Sequence, residues 1–332
     1  MSGVSHIEVD GGDDGLRVDR WFKRHYPELG HGRLEKLLRK GQVRVDGGRV
    51  KANTRLEAGQ TIRVPPFGPV SEEAPRKKAK PAFDKKEAAF IQGLVLHMDE
   101  SIIVVNKPSG LAVQGGSRTE RHIDGMLEGL KFDLPERPRL VHRLDRDTSG
   151  VLLLARTASA AAKLGKAFKH RQTRKIYWAL TVGVPRPENG TIRMMLAKQM
   201  GPAGERVVPV DPDTPGAQSS ETHFATVARA GQKLAWVAFM PVTGRTHQLR
   251  VHAAEALHCP IVGDGKYGGA DAHPGGEIPS ALHLHARSIE IAHPDGGRLS
   301  VSAPLPEHMV KTWDLLGLDR EDDGNPFEEL DV

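Results

Sequence analysis

Pro138-Arg139-Leu140-Val141-His142-Arg143-Leu144-Asp145-Arg146-Asp147-Thr148-Ser149-Gly150-Val151-Leu152-Leu153-Leu154-Ala155 passes from apolar to charge-dense and back to apolar. Apolar runs this short, bounded by turn residues, read as buried strands. The polar middle, His142–Gly150, is then a loop pinned at the edge of a core, where a carboxylate among arginines can be held in fixed geometry. Asp and Arg also pair in connecting loops simply to hold the loop. Asp145 taken alone does not separate a site from such a brace.

The surrounding chain is rich in strands. Leu94–His97 and Ile102–Val105 flank Asp99-Glu100 in the manner of a hairpin, and Asn106-Lys107-Pro108-Ser109-Gly110 breaks the strand pattern with a Pro/Gly loop. Thr157 is placed to cap a helix with Ala161, Leu164, Ala167 and Phe168 on one side. Ile176–Val184, Leu234–Met240, Leu282–Ile291 and Leu299–Ser302 read as further strands, and Thr246–Leu257 and Glu307–Leu316 as helices. Strands do not alternate regularly with helices, which argues against a doubly wound parallel sheet. The expectation for residues 88–318 is an α+β domain with a mixed, largely antiparallel sheet and flanking helices.

Ahead of it, residues 1–15 are Gly- and Asp-rich and read as a flexible lead-in, and residues 16–65 as a small domain. Val18, Trp21 and Phe22 make one helix face, and Leu34, Leu37 and Leu38 make a second, ended by Gly41 in a left-handed cap. Val43-Arg44-Val45 and Val50 flank Asp46-Gly47-Gly48, a hairpin signal, and Thr61–Val64 alternates like a closing strand. Between Arg17 and Arg63 there are thirteen Lys or Arg and five Asp or Glu, an excess of +8 against +5 for the whole chain. A solvated charged face is one reading; a one-sided excess on so small a unit more often meets phosphates. Residues 66–87, with Arg76, Lys77, Lys78 and Lys80, read as a flexible Pro/Lys-rich linker. Residues 319–332 read as a solvated acidic tail.

At 332 residues, 38% hydrophobic and 27% charged, the composition is that of a soluble chain with room for two domains. No apolar run approaches the ~18 residues that span a bilayer. The N-terminus lacks the basic region and apolar core of a secretory signal. Cys259 is the only cysteine, so no internal disulfide is possible, which fits a reducing cytosol. His247, His252, His258 and Cys259 do not have the paired spacing of structural zinc sites, and no metal is expected.

Four blocks of the larger domain carry candidate chemistry: Arg143 with Asp145; Lys175-Ile176-Tyr177; Pro241-Val242-Thr243-Gly244-Arg245-Thr246-His247-Gln248-Leu249-Arg250; and Gly263-Asp264-Gly265-Lys266-Tyr267-Gly268. Each has a plainer reading. Tyr177 alone is more often a core aromatic, Arg245 and Arg250 ordinary surface charges, and the glycine-bracketed loop a tight turn. The common nucleotide, metalloprotease and hydrolase signatures are missing.

Three of these blocks, His142–Gly150, Lys175–Tyr177 and Gly244–Arg250, together with Asn106–Gly110, resemble the ordered signature blocks of the RluA-type pseudouridine synthases. The match spans roughly residues 90–305. Leu16–Phe22, Gly32–Lys40 and Gly41–Gly47 resemble the S4 RNA-binding domain, although its usual Ser-Arg start to the second helix reads His31-Gly32-Arg33 here. The resemblance implies the pseudouridine synthase fold and conversion of specific uridines to pseudouridine in 23S rRNA or a large-subunit precursor. The bacterial C type is favoured over the D type, in a cytoplasmic, monomeric protein without a cofactor. The reaction breaks the N1–C1′ bond and rejoins the base through C5, with no redox change and no added group. By resemblance, Arg143 inserts where the extruded base had been, and Asp145 is the essential carboxylate. Tyr177 stacks on the uracil, and Arg245 pairs with Asp145. Arg17, Arg20, Arg33, Lys36, Arg39, Lys40 and Arg44 are the expected RNA contacts of the small domain. Rival readings are a catalytically silent RNA-binding or ribosome-assembly factor, a tRNA-directed synthase, and a nucleoside hydrolase or base glycosylase.

Overall fold

The computed structural model describes residues 3–66, 84–115, 119, 121–170, 173–201, 204–321 and 324–328. The chain divides into two compact units, residues 1–81 and 82–332.

The first unit comprises β1 (Ser5–Glu8), α1 (Val18–His25), α2 (His31–Arg39), β2 (Arg44–Val45), β3 (Gly48–Arg49) and β4 (Thr61–Val64), with the sheet ordered β1-β4-β2-β3. The helical faces read from spacing are its core: Val18, Trp21, Phe22 and Leu34 are buried against Leu56 and Ile62. Asp46 and Gly47 both have positive φ (47° and 77°), the geometry of a primed hairpin turn. The lead-in expectation is corrected here. Ser5–Glu8 pairs antiparallel with β4, from Ser5 opposite Val64 to Glu8 opposite Thr61. The nearby Asp13 carboxylate is buried between Arg24 and His25, at 2.6 Å from each. Ile7 and Val9 alternate in that acid- and glycine-rich run, a slight strand signal, and they face this small core.

The second unit begins with α3 (Lys85–Gln92), β5 (Val95–Met98), β6 (Ile102–Lys107), α4 (Ile123–Met126), β7 (Arg139–Leu140), β8 (Ser149–Ala155), α5 (Ala158–Lys169) and β9 (Arg174–Val182). It continues through β10 (Asn189–Gly201), β11 (Gly204–Pro209), β12 (Gln218–Ala230), β13 (Leu234–Pro241), α6 (Gln248–Val251), β14 (Leu284–Ala292), β15 (Arg298–Ser302) and α7 (Glu307–Leu316). Eleven strands form one sheet, β11-β10-β12-β13-β9-β14-β8-β6-β5, with β15 on β14 and β7 on β8. Among the described strand pairs of this sheet, only β8 and β14 run parallel. The mixed, largely antiparallel α+β sheet expected from sequence is therefore present.

β8 explains the opening stretch. All its residues are buried because helices cover both faces of the sheet there. Val151 and Leu153 pack towards α5, while Leu152 and Leu154 pack towards α3 and α4. Gly150 opens the strand with φ +108°, and a Cβ there would stand 2.2 Å from the Ala286 carbonyl oxygen. Ala286 lies opposite Gly150 on one side and Tyr177 on the other. The polar loop before β8 and the aromatic of β9 are thus held two strand spacings apart, roughly 10 Å.

Three sequence boundaries are revised. The 66–87 linker gives way to a helix, α3, capped by Asp84 accepting from Lys86 N at 2.9 Å; Arg76, Lys77, Lys78 and Lys80 lie outside the described residues. Thr246–Leu257 is not one α-helix, because His247 is left-handed (φ 52°) and His252–Ala256 is a π turn. In the acidic tail, Phe327 is buried beside Trp313 and Trp236, and Asn325 accepts from Arg174 at 2.5 Å. A single aromatic in a charged run was too slight a sequence signal for that docking.

Candidate active site

The loop carrying Asp145 is held from below by a buried lysine. Lys107 ends β6 and is fully buried; its Nζ donates to the carbonyls of Pro108 (2.9 Å), Leu111 (2.7 Å) and Arg146 (2.8 Å). Burial pushes its pKa down to about 7 against the opposing pull of Asp147 and Asp145. Ser109 Oγ donates to the Asp147 carbonyl at 2.7 Å. The Asn106–Gly110 and His142–Gly150 blocks are therefore one braced unit. His142 accepts from Leu153 N at 2.9 Å and stacks on Phe168. Burial and nearby Lys175 lower its pKa to about 3, so the ring is neutral. Asp147 pairs outward with Arg146 at 3.0 Å. Asp145, half-buried, makes no hydrogen bond or ion pair among the described residues and faces an open cleft of about 810 Å³.

Tyr177 stands in the wall of that cleft, opposite Phe239 of β13 and Ala286 of β14. Burial, then the charge of Asp145, raises its pKa above the usual tyrosine range, so it is a neutral phenol throughout physiological pH. β13 runs on into the third block. There Gln248 sutures the turn to β12: its Nε2 donates to Glu221 O and Thr222 Oγ1, each at 2.9 Å, and its Oε1 accepts from Thr243 Oγ1 and Arg245 N.

The structure brings Asp145, Arg143, Tyr177 and Arg245 to one cleft. It does not pair Arg245 with Asp145: the Arg245 Nε donates to the Ser219 carbonyl at 3.0 Å. The cation in electrostatic reach of Asp145 in this block is Arg250. Its guanidinium is buried, clamped by Asp264 at 2.8 and 2.6 Å, and lies over the Tyr267 ring. Asp264 and Asp145 hold its pKa above the ordinary arginine value despite burial. The sequence suggested the wrong arginine because both bracket the same turn, and spacing does not reveal which one faces inward. The glycine-bracketed loop is the seat of Arg250, since Asp264 also accepts from Lys266 N and Tyr267 N. His247 joins it through a 2.7 Å contact between its Nδ1 and the Tyr267 hydroxyl.

Lys169 is a further residue of the cleft that sequence reasoning passed over, and Lys107 and His247 lay inside blocks read from sequence without a role assigned to them. The signal for Lys107 was its place in the Asn106–Gly110 block directly after the apolar run Ile102–Val105. Among the described residues the cleft wall carries Arg143, Lys169, Lys175, Arg245 and Arg250 against one carboxylate, Asp145. Such a surface draws polyanions towards the cleft.

In the small unit, Arg20, Arg33, Lys36, Arg39 and Lys40 are exposed. Arg17 is instead engaged by Asp19 (2.6 Å), and Arg44 by the carbonyls of Gly41 and Gly47, both at 3.1 Å.

Residues 101–255 match the RNA pseudouridylate synthase family. The chain is 34% identical to the ribosomal large subunit pseudouridine synthase C of Vibrio vulnificus, over 96% of this chain and 98% of that one. It is 35% identical to the Escherichia coli protein of the same name, over 93% and 95%. Among solved structures it is similar to human RNA pseudouridylate synthase domain containing 4, with 30% identity, a TM-score of 0.60, and 70% and 98% of the two chains covered. The chain belongs to the RNA pseudouridylate synthase family, enzymes that convert uridine to pseudouridine. Within it, the C-type large-subunit enzymes are its curated relatives over nearly their whole length.

Proposed function

We propose that this protein isomerises specific uridines of 23S rRNA, with Asp145 as the essential group acting on a nucleotide turned out of its helix. The supporting observation is a lone carboxylate, free of any hydrogen bond or ion pair among the described residues, in a cleft lined by five cations and Tyr177. A stacked base has no access to such a carboxylate, so the nucleotide must be extruded to meet it. Arg143, exposed at the cleft, is the planar cation suited to fill the vacated stack. Tyr177 offers its ring to the uracil, an interaction worth roughly 1–3 kcal/mol. Arg250, held by Asp264, brings a fixed positive charge to the same cleft, where the charge of Asp145 acts on it. Arg245 is left to the RNA backbone.

The reaction breaks N1–C1′, forms C5–C1′, releases the C5 proton and protonates N1. It needs no redox partner. The basic unit ahead of the cleft supplies sequence-independent phosphate contacts, and the setting is the bacterial cytoplasm. A silent assembly factor has no physical use for an unpaired carboxylate in a cationic cleft, where pairing it would be more stable. A tRNA substrate is disfavoured by the names of the two bacterial relatives above, both enzymes of the large ribosomal subunit.

The test uses 23S rRNA transcribed with [5-³H]uridine. The protein should release tritium and leave carbodiimide-reactive positions, while Asp145→Asn should bind the transcript and release none. Tritium release by Asp145→Asn at the normal rate would overturn the assignment.

A further inference from the structure

Lys175 stands two residues before Tyr177 on β9, so both side chains fall on the same face of the strand and line the same cleft. It is half-buried, and among the described residues it makes no hydrogen bond and no ion pair. This sets it apart from the other deep cations of the site: Lys107 has three carbonyls, and Arg250 has Asp264. The groups around it offer no relief. His142 accepts from Leu153 N and is neutral, Phe168 is apolar, and Lys169, Arg143 and Arg245 repeat its sign. Asp145, the one carboxylate of the cleft, acts on Lys107, Tyr177, His247 and Arg250, whereas burial alone lowers the Lys175 pKa.

An ammonium withdrawn from water without a partner is unfavourable, and its retention implies an anion that arrives with the substrate. We propose that Lys175 is the anchor for a backbone phosphate of the nucleotide bound in the cleft, gripping the phosphodiester while Tyr177 holds the base. The inference rests on reading the cleft as the site of an RNA uridine. It adds a positioning residue on the substrate's backbone, separate from the groups that face the base and C1′. The spacing is apt: neighbouring same-face residues of a strand are roughly 7 Å apart, close to the separation of a base from its own phosphate.

A consequence is that binding and protonation are linked. The free site depresses the lysine, an adjacent phosphate restores it, and at alkaline pH substrate binding therefore takes up a proton. The experiment compares the normal protein, Lys175→Met and Lys175→Arg. In single-turnover tritium release from 23S transcript, Lys175→Met should raise the half-saturating protein concentration about tenfold to a hundredfold. Its saturated rate should stay within about threefold of normal, and Lys175→Arg should recover most of the affinity. In parallel, uridine 3′,5′-bisphosphate is titrated calorimetrically into Asp145→Asn at a series of alkaline pH values, each in two buffers of different ionisation enthalpy. Proton uptake is expected, and it should vanish when Lys175→Met is added. A collapsed saturated rate with unchanged half-saturation would show that Lys175 acts on the reacting nucleoside instead. Uptake that survives Lys175→Met would remove it from phosphate binding. If no variant releases tritium, the reading of the cleft as a pseudouridylation site fails, and the calorimetric arm still decides the lysine.

Discussion

Arg250 and Asp264 form a buried two-pronged ion pair, Nε–H to Oδ2 at 2.8 Å and Nη2–H to Oδ1 at 2.6 Å, and the charge of Asp145 acts on the same guanidinium. The pair ties the cleft to the Gly263–Gly268 loop beyond α6, which is outside the cleft lining. Removing one partner of such a pair strands the other charge in the interior, at about 3–5 kcal/mol. Asp264→Ala should lose stability of that order in urea unfolding. It should also lower single-turnover rate more than Asp264→Asn, which keeps the shape and part of the hydrogen bonding. Unchanged turnover per folded Asp264→Ala molecule would mean that Arg250 is only structural.

Gly150 sits where the loop carrying Asp145 becomes a strand, and its space is taken by the Ala286 backbone. A methyl group there has to displace a strand, and φ +108° is a region that L side chains avoid. Gly150→Ala is expected to cost about 3 kcal/mol or more. Gly165, inside α5 with nothing within 4 Å of a built Cβ, is the matched control. Gly165→Ala should gain about 0.5–1 kcal/mol. Thermal unfolding of the two variants reads both signs.

The opening stretch was legible because strand, loop and strand are encoded locally, and β8 is buried on both faces without alternation. The positions of β6, β9, β13, β14 and β15 followed from the same signal. β10, β11 and β12 did not, because Gln218-Ser219-Ser220-Glu221-Thr222-His223 is polar where the sheet extends away from its helices. The assembly of Asp145 with Tyr177 was readable as a set of blocks, whereas the distances between them depend on β14, which carries none of the blocks yet spaces two of them. The Arg245–Arg250 choice was not readable, since it turns on a left-handed His247 and a distant Asp264.

Arg33, Lys36, Arg39 and Lys40 cover the exposed side of α2, and no ion pair occupies them among the described residues. If these cations meet RNA phosphates, each contact contributes about 0.7–0.9 to the slope of log affinity against log salt. Changing all four to Gln should flatten that slope by up to about 3 and leave the saturated single-turnover rate intact. An unchanged slope in filter binding would place the RNA contacts of this unit elsewhere.

Lys107 links the site to pH in two opposed ways. Its amine has a pKa of about 7 when folded and about 10.4 when unfolded. Between those values the unfolded chain holds more protons, so stability rises with pH across that window; below it, the folded state carries the full penalty of a buried ammonium. At about 1.36 kcal/mol per unit, the gain is up to about 4 kcal/mol. Lys107→Met lacks this titration, so the stability difference between the two proteins should change by that order from about pH 7 to 10 and be flat below it. Turnover should move the other way. The ammonium has three N–H groups for three carbonyls, and a neutral amine has two. One carbonyl then loses its donor, and the Arg146 carbonyl belongs to the loop that aims Asp145. The normal protein should therefore become more stable and less active as the amine deprotonates. Parallel slopes in stability and single-turnover rate would show that Lys107 supports the fold without positioning the carboxylate.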